Sequence, residues 1–234
     1  MIFTKISGGN AALLLVFEEA SCPPPEKLLS FLQPSQLERS LCFKRPQRRS
    51  QYLWSRLMLS AAVRAAADQY GCSRAVIVEK PPQAPVLRLG SGEVFTSVSH
   101  SGERVHCLLS AQPCAVDVER YAPERPLARY AEAAFSAETA AALKKEADLP
   151  HAFFKAWGAY ECAVKLGRPR EFSWVRHEPV ITGFRIESKF ENGWSMVAAL
   201  SPEVSQVREI RLTAVALQDF YARGTPLFSG AGLS

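Results

Sequence analysis

A chain of 234 residues, 47% hydrophobic and 22% charged, is long enough for one large or two small domains with a real core. Its formal net charge of +5 favours acidic partners, but it lacks the long basic runs of a dedicated nucleic-acid binder, so no nucleic-acid partner is expected. The cysteines at 22, 42, 72, 107, 114 and 162 include no Cys-x-x-Cys pair, and no histidine stands at ligand spacing from them. Reduced thiols in a cytoplasmic protein are expected, with neither a zinc site nor a thiol nucleophile.

In chain order, the apolar run Ala11–Phe17 is too short to span a membrane and meets Glu18-Glu19 at once. It is expected as a buried strand rather than a signal sequence. A Pro-rich connection leads to a helix near Glu26–Leu32, and Ser35 is expected to cap a short helix over Gln36–Phe43. From about Pro46 a long helix is predicted. Its buried stripe is Leu53, Leu57, Ala61 and Ala65, and Gly71 ends it. Ala75–Glu79 and Val94–Val98 read as strands around a Pro- and Gly-rich loop, Lys80–Gly92.

Val105–Ser110, the turn Ala111-Gln112-Pro113 and Cys114–Glu119 read as strand, turn, strand. A helix is predicted over Ala133–Ala147 with Ser136 near its N-cap, and a second over His151–Leu166, closed by Gly167. Phe184–Phe190 and Trp194–Leu200 flank Glu-Asn-Gly, a hairpin signal. Ile210–Leu217 gives a further strand, and the tail after Tyr221 is irregular. The pattern is α+β, with a division near residues 111–113: an N-terminal half, 1–112, and a C-terminal half, 113–234.

Asp117 and Glu119 alternate with Val116 and Val118, so a strand aims both carboxylates to one face. That face is either solvated, with the valines in the core, or it binds a divalent cation through paired oxygens. In Phe153–Gly167 the residues Phe153, Trp157, Tyr160 and Val164 form an apolar stripe at helical spacing, with Glu161 at its edge and Lys165 one turn on. Glu161 and Lys165 are either a surface i,i+4 pair or a third carboxylate and a phosphate-directed ammonium. The run Ser99-His100-Ser101-Gly102 falls where a strand breaks into a turn. It is either a solvated or core histidine or a set of hydroxyl, imidazole and backbone donors for an anion.

Ser-His-Ser-Gly at 99–102, Val-Asp-Val-Glu at 116–119 and Trp-x-x-x-Glu-x-x-x-Lys at 157–165 together resemble the 4′-phosphopantetheinyl transferases of the surfactin-synthetase-activating type. The likeness covers residues 35–167 in order and spacing. Beyond Gly167 it is one of strand pattern alone. The resemblance implies two similar α+β halves related by pseudo-twofold symmetry, with coenzyme A between them. It implies transfer of phosphopantetheine from coenzyme A to a serine of an acyl or peptidyl carrier protein, releasing 3′,5′-ADP. By position, Asp117, Glu119 and Glu161 would hold Mg²⁺, and Glu161 would help deprotonate the serine. Lys165 would steady the phosphate. Ser99 and His100 would contact coenzyme A together with Arg39, Arg49 and Arg56. A monomer is compatible with the two-half architecture, and no membrane is implied.

The chain departs from that pattern at several bases. Tyr160 stands for a lysine, Gln83-Ala84-Pro85 for Gly-Lys-Pro, Gln51 for an arginine and Ser60 for another. Arg48 remains beside Arg39, Arg49 and Arg56, each either a phosphate contact or part of a solvated helix face. The hydroxyl of Tyr160 is expected to hydrogen-bond a phosphate or ligand, the alternative being that its ring packs with Phe153 and Val164. A weakened family member that only binds a carrier protein is the second reading of the whole. A Mg²⁺-dependent nuclease using the same acids is the third.

Overall fold

The computed structural model describes residues 10–70, 75–79, 85–89 and 92–223. Among them, seven α-helices pack with several sheets of mostly antiparallel strands, an α+β protein. The chain forms two units: the first runs up to Pro113 and resumes at Glu203, and the second is Cys114–Pro202.

The first unit opens with β1 (Ala11–Phe17), buried along its full length. A continuous apolar run suits a strand flanked on both edges by others. Three helices follow: α1 (Glu26–Leu29), α2 (Pro34–Leu41) and α3 (Pro46–Tyr70). Gln36, not Ser35, organises the start of α2, its side-chain oxygen accepting from the Gln33 N–H at 3.1 Å. On α3 the expected stripe is buried at Leu53, Leu57 and Ala61. The side chain of Ala65, together with Gly71 and Lys80–Ala84, lies outside the described residues.

The strands β2 (Ala75–Val78), β3 (Val86–Leu89), β4 (Gly92–Ser101) and β5 (Arg104–Ser110) run antiparallel. β3 occupies part of the expected loop, because Val86 and Leu87 lie opposite Val78 and Ile77 in the ladder. α3 packs on this sheet, and the core joins Leu13, Leu15 and Phe17 to Trp54, Leu57, Met58 and Cys107. The Phe17 and Trp54 rings are 4.4 Å apart, and Trp54 Nε1 donates to the Cys22 carbonyl at 2.7 Å.

In the second unit, β6 (Cys114–Arg120) leads to α4 (Leu127–Ala134), α5 (Ala137–Leu143) and α6 (Leu149–Lys165). The expected helix over 133–147 is two helices. Ser136 interrupts the chain in extended conformation and caps α5, its oxygen accepting from the Thr139 N–H. Asp148 caps α6 through the His151 N–H. Gly167, at φ +74, closes α6: a left-handed residue there lets the Arg168 N–H reach back to the Ala163 carbonyl. Next come a hairpin, β7 (Phe172–Val175) with β8 (Glu178–Ile181), and then β9 (Arg185–Glu191) and β10 (Trp194–Leu200). The Asn192-Gly193 turn has positive φ at both residues, as a tight hairpin requires. β6, β10 and β9 form a three-stranded sheet in that order.

The expected C-terminal half, 113–234, differs from the observed unit because the chain returns to the first sheet. β11 (Gln206–Leu212) pairs in parallel with all of β1, from Ala11↔Gln206 to Phe17↔Leu212. The strand expected at 210–217 ends at Leu212, where Thr213 accepts from the Ala216 N–H. α7 (Ala214–Arg223) then buries Leu217, Phe220 and Tyr221, so residues up to Arg223 are helical rather than irregular. Tyr221 donates to the Leu57 carbonyl at 2.9 Å, fastening α7 to α3.

α6 approaches β10 through Gly158. A Cβ there would fall 2.5 Å from Val197 Cγ2. The Gly158→Ala substitution is therefore expected to lower stability by about 1–3 kcal/mol through overpacking. In thermal denaturation, adding Val197→Ala should recover part of that loss.

Candidate functional site

Asp117 lies opposite Val197 in the β6–β10 ladder, and Glu119 opposite Ser195. Directly opposed residues share a face of the sheet, and Val197 meets α6 at Gly158. Asp117 and Glu119 thus project toward α6, as strand alternation requires, while Val116 and Val118 take the other face. Asp117 is not solvated: it is 5% exposed.

Lys165, the final residue of α6, reaches it. The Lys165 ammonium donates to Asp117 Oδ1 at 2.8 Å and to the Val116 carbonyl at 2.8 Å. A carboxylate this buried costs several kcal/mol unless an opposite charge answers it. A cation at a helix C-terminus also has the macrodipole in its favour. Glu161, one turn earlier, is half-buried. Burial, and then the negative charge of Asp117, hold its carboxyl above the ordinary value, with Lys165 acting in the opposite direction.

The three acids expected on one ion do not form a cage. Among the described residues no three His, Cys, Asp or Glu side chains are grouped to hold a metal. Asp117 and Glu161 act on each other electrostatically, but an Asp117 oxygen is taken by Lys165. Glu119 lines a cavity of about 580 Å³ walled by Leu127, Tyr130, Phe153, Phe154 and Trp157, with Arg125 also at its edge. The donor set nonetheless suits Mg²⁺, which is typically held by one or two carboxylates together with substrate phosphates and water.

Tyr160 belongs to an aromatic cluster. Its ring meets Phe135 at 5.7 Å and Phe172 at 5.5 Å, both edge-on. The ring therefore packs, but against Phe135 and Phe172 rather than against the expected Phe153 and Val164. Val164, expected in the same stripe, is 44% exposed.

In the first unit, Ser99 and His100 stand near the end of β4, opposite His106 and Val105, where the strand breaks into a turn as expected. The turn comes after them, at Gly102 with φ +52. Ser99 is buried, and His100 meets the Arg48 guanidinium. Gln51 and Gln47 donate to the Gly102 carbonyl at 2.7 and 2.9 Å, so the amide standing for an arginine fixes this turn. Burial, and then the charge of Arg45, push the Arg48 guanidinium below its ordinary value. Among the described residues Lys44, Arg45 and Arg49 enter no ion pair, and the first turn of α3 carries no acid. Positive charge crowded at a helix N-terminus opposes the macrodipole and suits an incoming anion.

Arg56 behaves differently. It pairs bidentately with Glu79, Nε–Oε1 at 2.7 Å and Nη2–Oε2 at 3.3 Å, and its guanidinium carbon lies 4.4 Å from the Tyr52 ring centroid. Burial raises the Glu79 carboxyl, but hydrogen bonding and charge from Arg56, helped by Gln36 and Tyr52, leave it below the ordinary value. The Arg56 charge is thereby already matched. Arg39 lies partly buried near the same cluster, its charge acting on Tyr52. The motifs pass over Glu79 and Arg125. A lone acid after the apolar run Ala75–Val78 marks the first, and nothing in the local pattern marks the second.

A scan against protein-family models finds no match to the sequence, and a search of curated proteins finds none of significant similarity.

Because the folded chain holds the Glu161 proton more tightly than the unfolded chain, the stability from this group is full below the ordinary carboxylate value. It falls as pH rises through the raised value. Glu161→Gln removes that penalty. Its Tm should exceed wild type at pH 7 by on the order of 2 °C, and the gain should vanish in acid, where Glu161 is already protonated.

Proposed function

We propose that this protein transfers the 4′-phosphopantetheine group of coenzyme A to a serine of an acyl or peptidyl carrier protein, with Mg²⁺, releasing 3′,5′-ADP. The observation that carries the reading is the coupled group of Asp117, Glu161 and Lys165. The strand and helix motifs are far apart in sequence, yet in one unit they bring two carboxylates and an ammonium together. The resemblance also implies that the two units are copies of one α+β plan with pseudo-twofold symmetry, and that the protein works as a cytoplasmic monomer. No helix among the described residues is long and apolar enough to cross a membrane.

Asp117 and Glu161 would hold the ion, with Glu119 beside the cavity as a further oxygen donor. When bound, Mg²⁺ would neutralise the pyrophosphate charge. Glu161, with its raised carboxyl, suits proton removal from the serine hydroxyl. The serine oxygen then forms its bond to the phosphorus next to the pantetheine arm. The bond from that phosphorus to the oxygen leaving with 3′,5′-ADP breaks, and the serine proton passes to Glu161. Lys165 offers positive charge to the phosphoryl group, where positioning and charge do most of the work. The aromatic cavity beside Glu119 offers the pantetheine arm an apolar wall. In the first unit taken by itself, His100 with Arg48, Arg49, Arg45 and Lys44 would offer charge to a phosphate.

A second reading, a carrier-protein-binding module with weakened catalysis, is favoured by three positions that leave no unmatched positive charge. Tyr160 is packed, Gln51 is bound to Gly102 and Arg56 is matched by Glu79. Intact-mass analysis of a carrier protein after incubation with coenzyme A and Mg²⁺ separates the two. Transfer should appear as the mass of one phosphopantetheine. Asp117→Asn, which keeps the shape of a buried residue, should slow transfer by on the order of a hundredfold or more. Unmodified carrier that still co-purifies with the protein would favour the second reading.

A further inference from the structure

We infer that Lys165 stands in for the divalent cation at Asp117 when no substrate is bound, so that the ion and the ammonium exchange places as the site loads. The inference rests on the proposed reading of a cation and pyrophosphate at Asp117 and Glu161. Asp117 is 5% exposed, and two oxygens on one stretch of β6, Asp117 Oδ1 and the Val116 carbonyl, each accept from the Lys165 ammonium at 2.8 Å. Oxygens that converge on an ammonium are also what a hard cation seeks. Both cations on the same carboxylate would repel, so the ion arrives at the expense of the Lys165 contact. The released ammonium sits on a flexible four-carbon stem rooted in the last residue of α6. A pyrophosphate beside it gives that charge a new partner.

Two consequences follow from this exchange. The unliganded protein binds a divalent ion weakly, because the ion must displace an ion pair. Pyrophosphate and the ion bind cooperatively, because the phosphate oxygens receive the displaced lysine. Lys165 is then a positioning residue for the metal as well as a charge for the phosphate.

Mn²⁺ is the probe, its bound fraction read by electron paramagnetic resonance of the full chain, without and with inorganic pyrophosphate. Without pyrophosphate, Lys165→Ala should bind Mn²⁺ on the order of tenfold more tightly than wild type. Lys165→Arg, which keeps a cation, should bind it as weakly as wild type. Lys155→Ala removes a lysine that pairs with Glu178 and should match wild type, which excludes a general charge effect. If Lys165→Ala and wild type bind Mn²⁺ equally, and pyrophosphate tightens both, the exchange is overturned and the cation site stands. If no variant binds Mn²⁺ even with pyrophosphate, the exchange and the cation reading both fall. Since Lys165→Ala uncovers a buried carboxylate, wild type is also read directly with ¹³C-labelled lysine. The Lys165 ε-carbon resonance, assigned by its absence in Lys165→Arg, should shift on adding Mg²⁺ with pyrophosphate. An unmoved resonance at saturation overturns the exchange.

Discussion

Asp117 faces the helix side of a sheet, nearly removed from solvent, and the ammonium at the end of α6 reaches back to it. The carboxylate is not stable there alone. A buried carboxylate needs an opposite charge, and Lys165 meets it only because α6 lies close and ends at the right place. Gly158 sets the distance by letting the helix rest on Val197. Gly167 sets the end by turning the chain left-handed just past Lys165. Glu161, on the same helix, is then held near Asp117, and their repulsion together with burial raises its carboxyl. The pair, the helix stop and the close approach are one arrangement, and the proposed chemistry depends on all three.

The first unit handles charge in two opposite ways along one helix. At Arg56 the guanidinium is buried against Tyr52 and answered by Glu79, which Gln36 also holds. That is a network in which the guanidinium charge is matched by a carboxylate. Two turns earlier, among the described residues, Arg48 meets His100 and Gln51, and Arg45 and Arg49 enter no ion pair. A helix start that gathers cations gains nothing for its own stability. The same charge would be useful to an anionic ligand, which is why this end of α3, rather than Arg56, carries the proposed phosphate contacts.

Much of this was legible in the sequence where pattern and physics coincide. The all-apolar Ala11–Phe17 read as a buried strand, and the Asn192-Gly193 turn announced its hairpin. Alternation placed Asp117 and Glu119 on one face, and helical spacing placed Glu161 at the edge of its stripe. The rest depended on partners distant in sequence. Periodicity could not show that Asp117 is buried, because that follows from the approach of α6 over Gly158. Nor could it show that Arg56 belongs to Glu79, or that Tyr160 joins Phe135 and Phe172. The return of β11 to β1 was hidden for the same reason: a parallel partner from the far end of the chain leaves no local mark. Thr213 did carry a cap signal for α7, overshadowed by the apolar residues around it, Ile210, Leu212 and Val215.

The proposed function puts the Asp117, Glu161 and Lys165 group in a site for a metal and the pyrophosphate of coenzyme A. Calorimetric titration of the full chain with coenzyme A, once with Mg²⁺ and once with a chelator, tests it most directly. Saturable binding with one coenzyme A per chain is expected in Mg²⁺, weakened on the order of tenfold by the chelator. Absence of binding under both conditions, or equal binding under both, would contradict it.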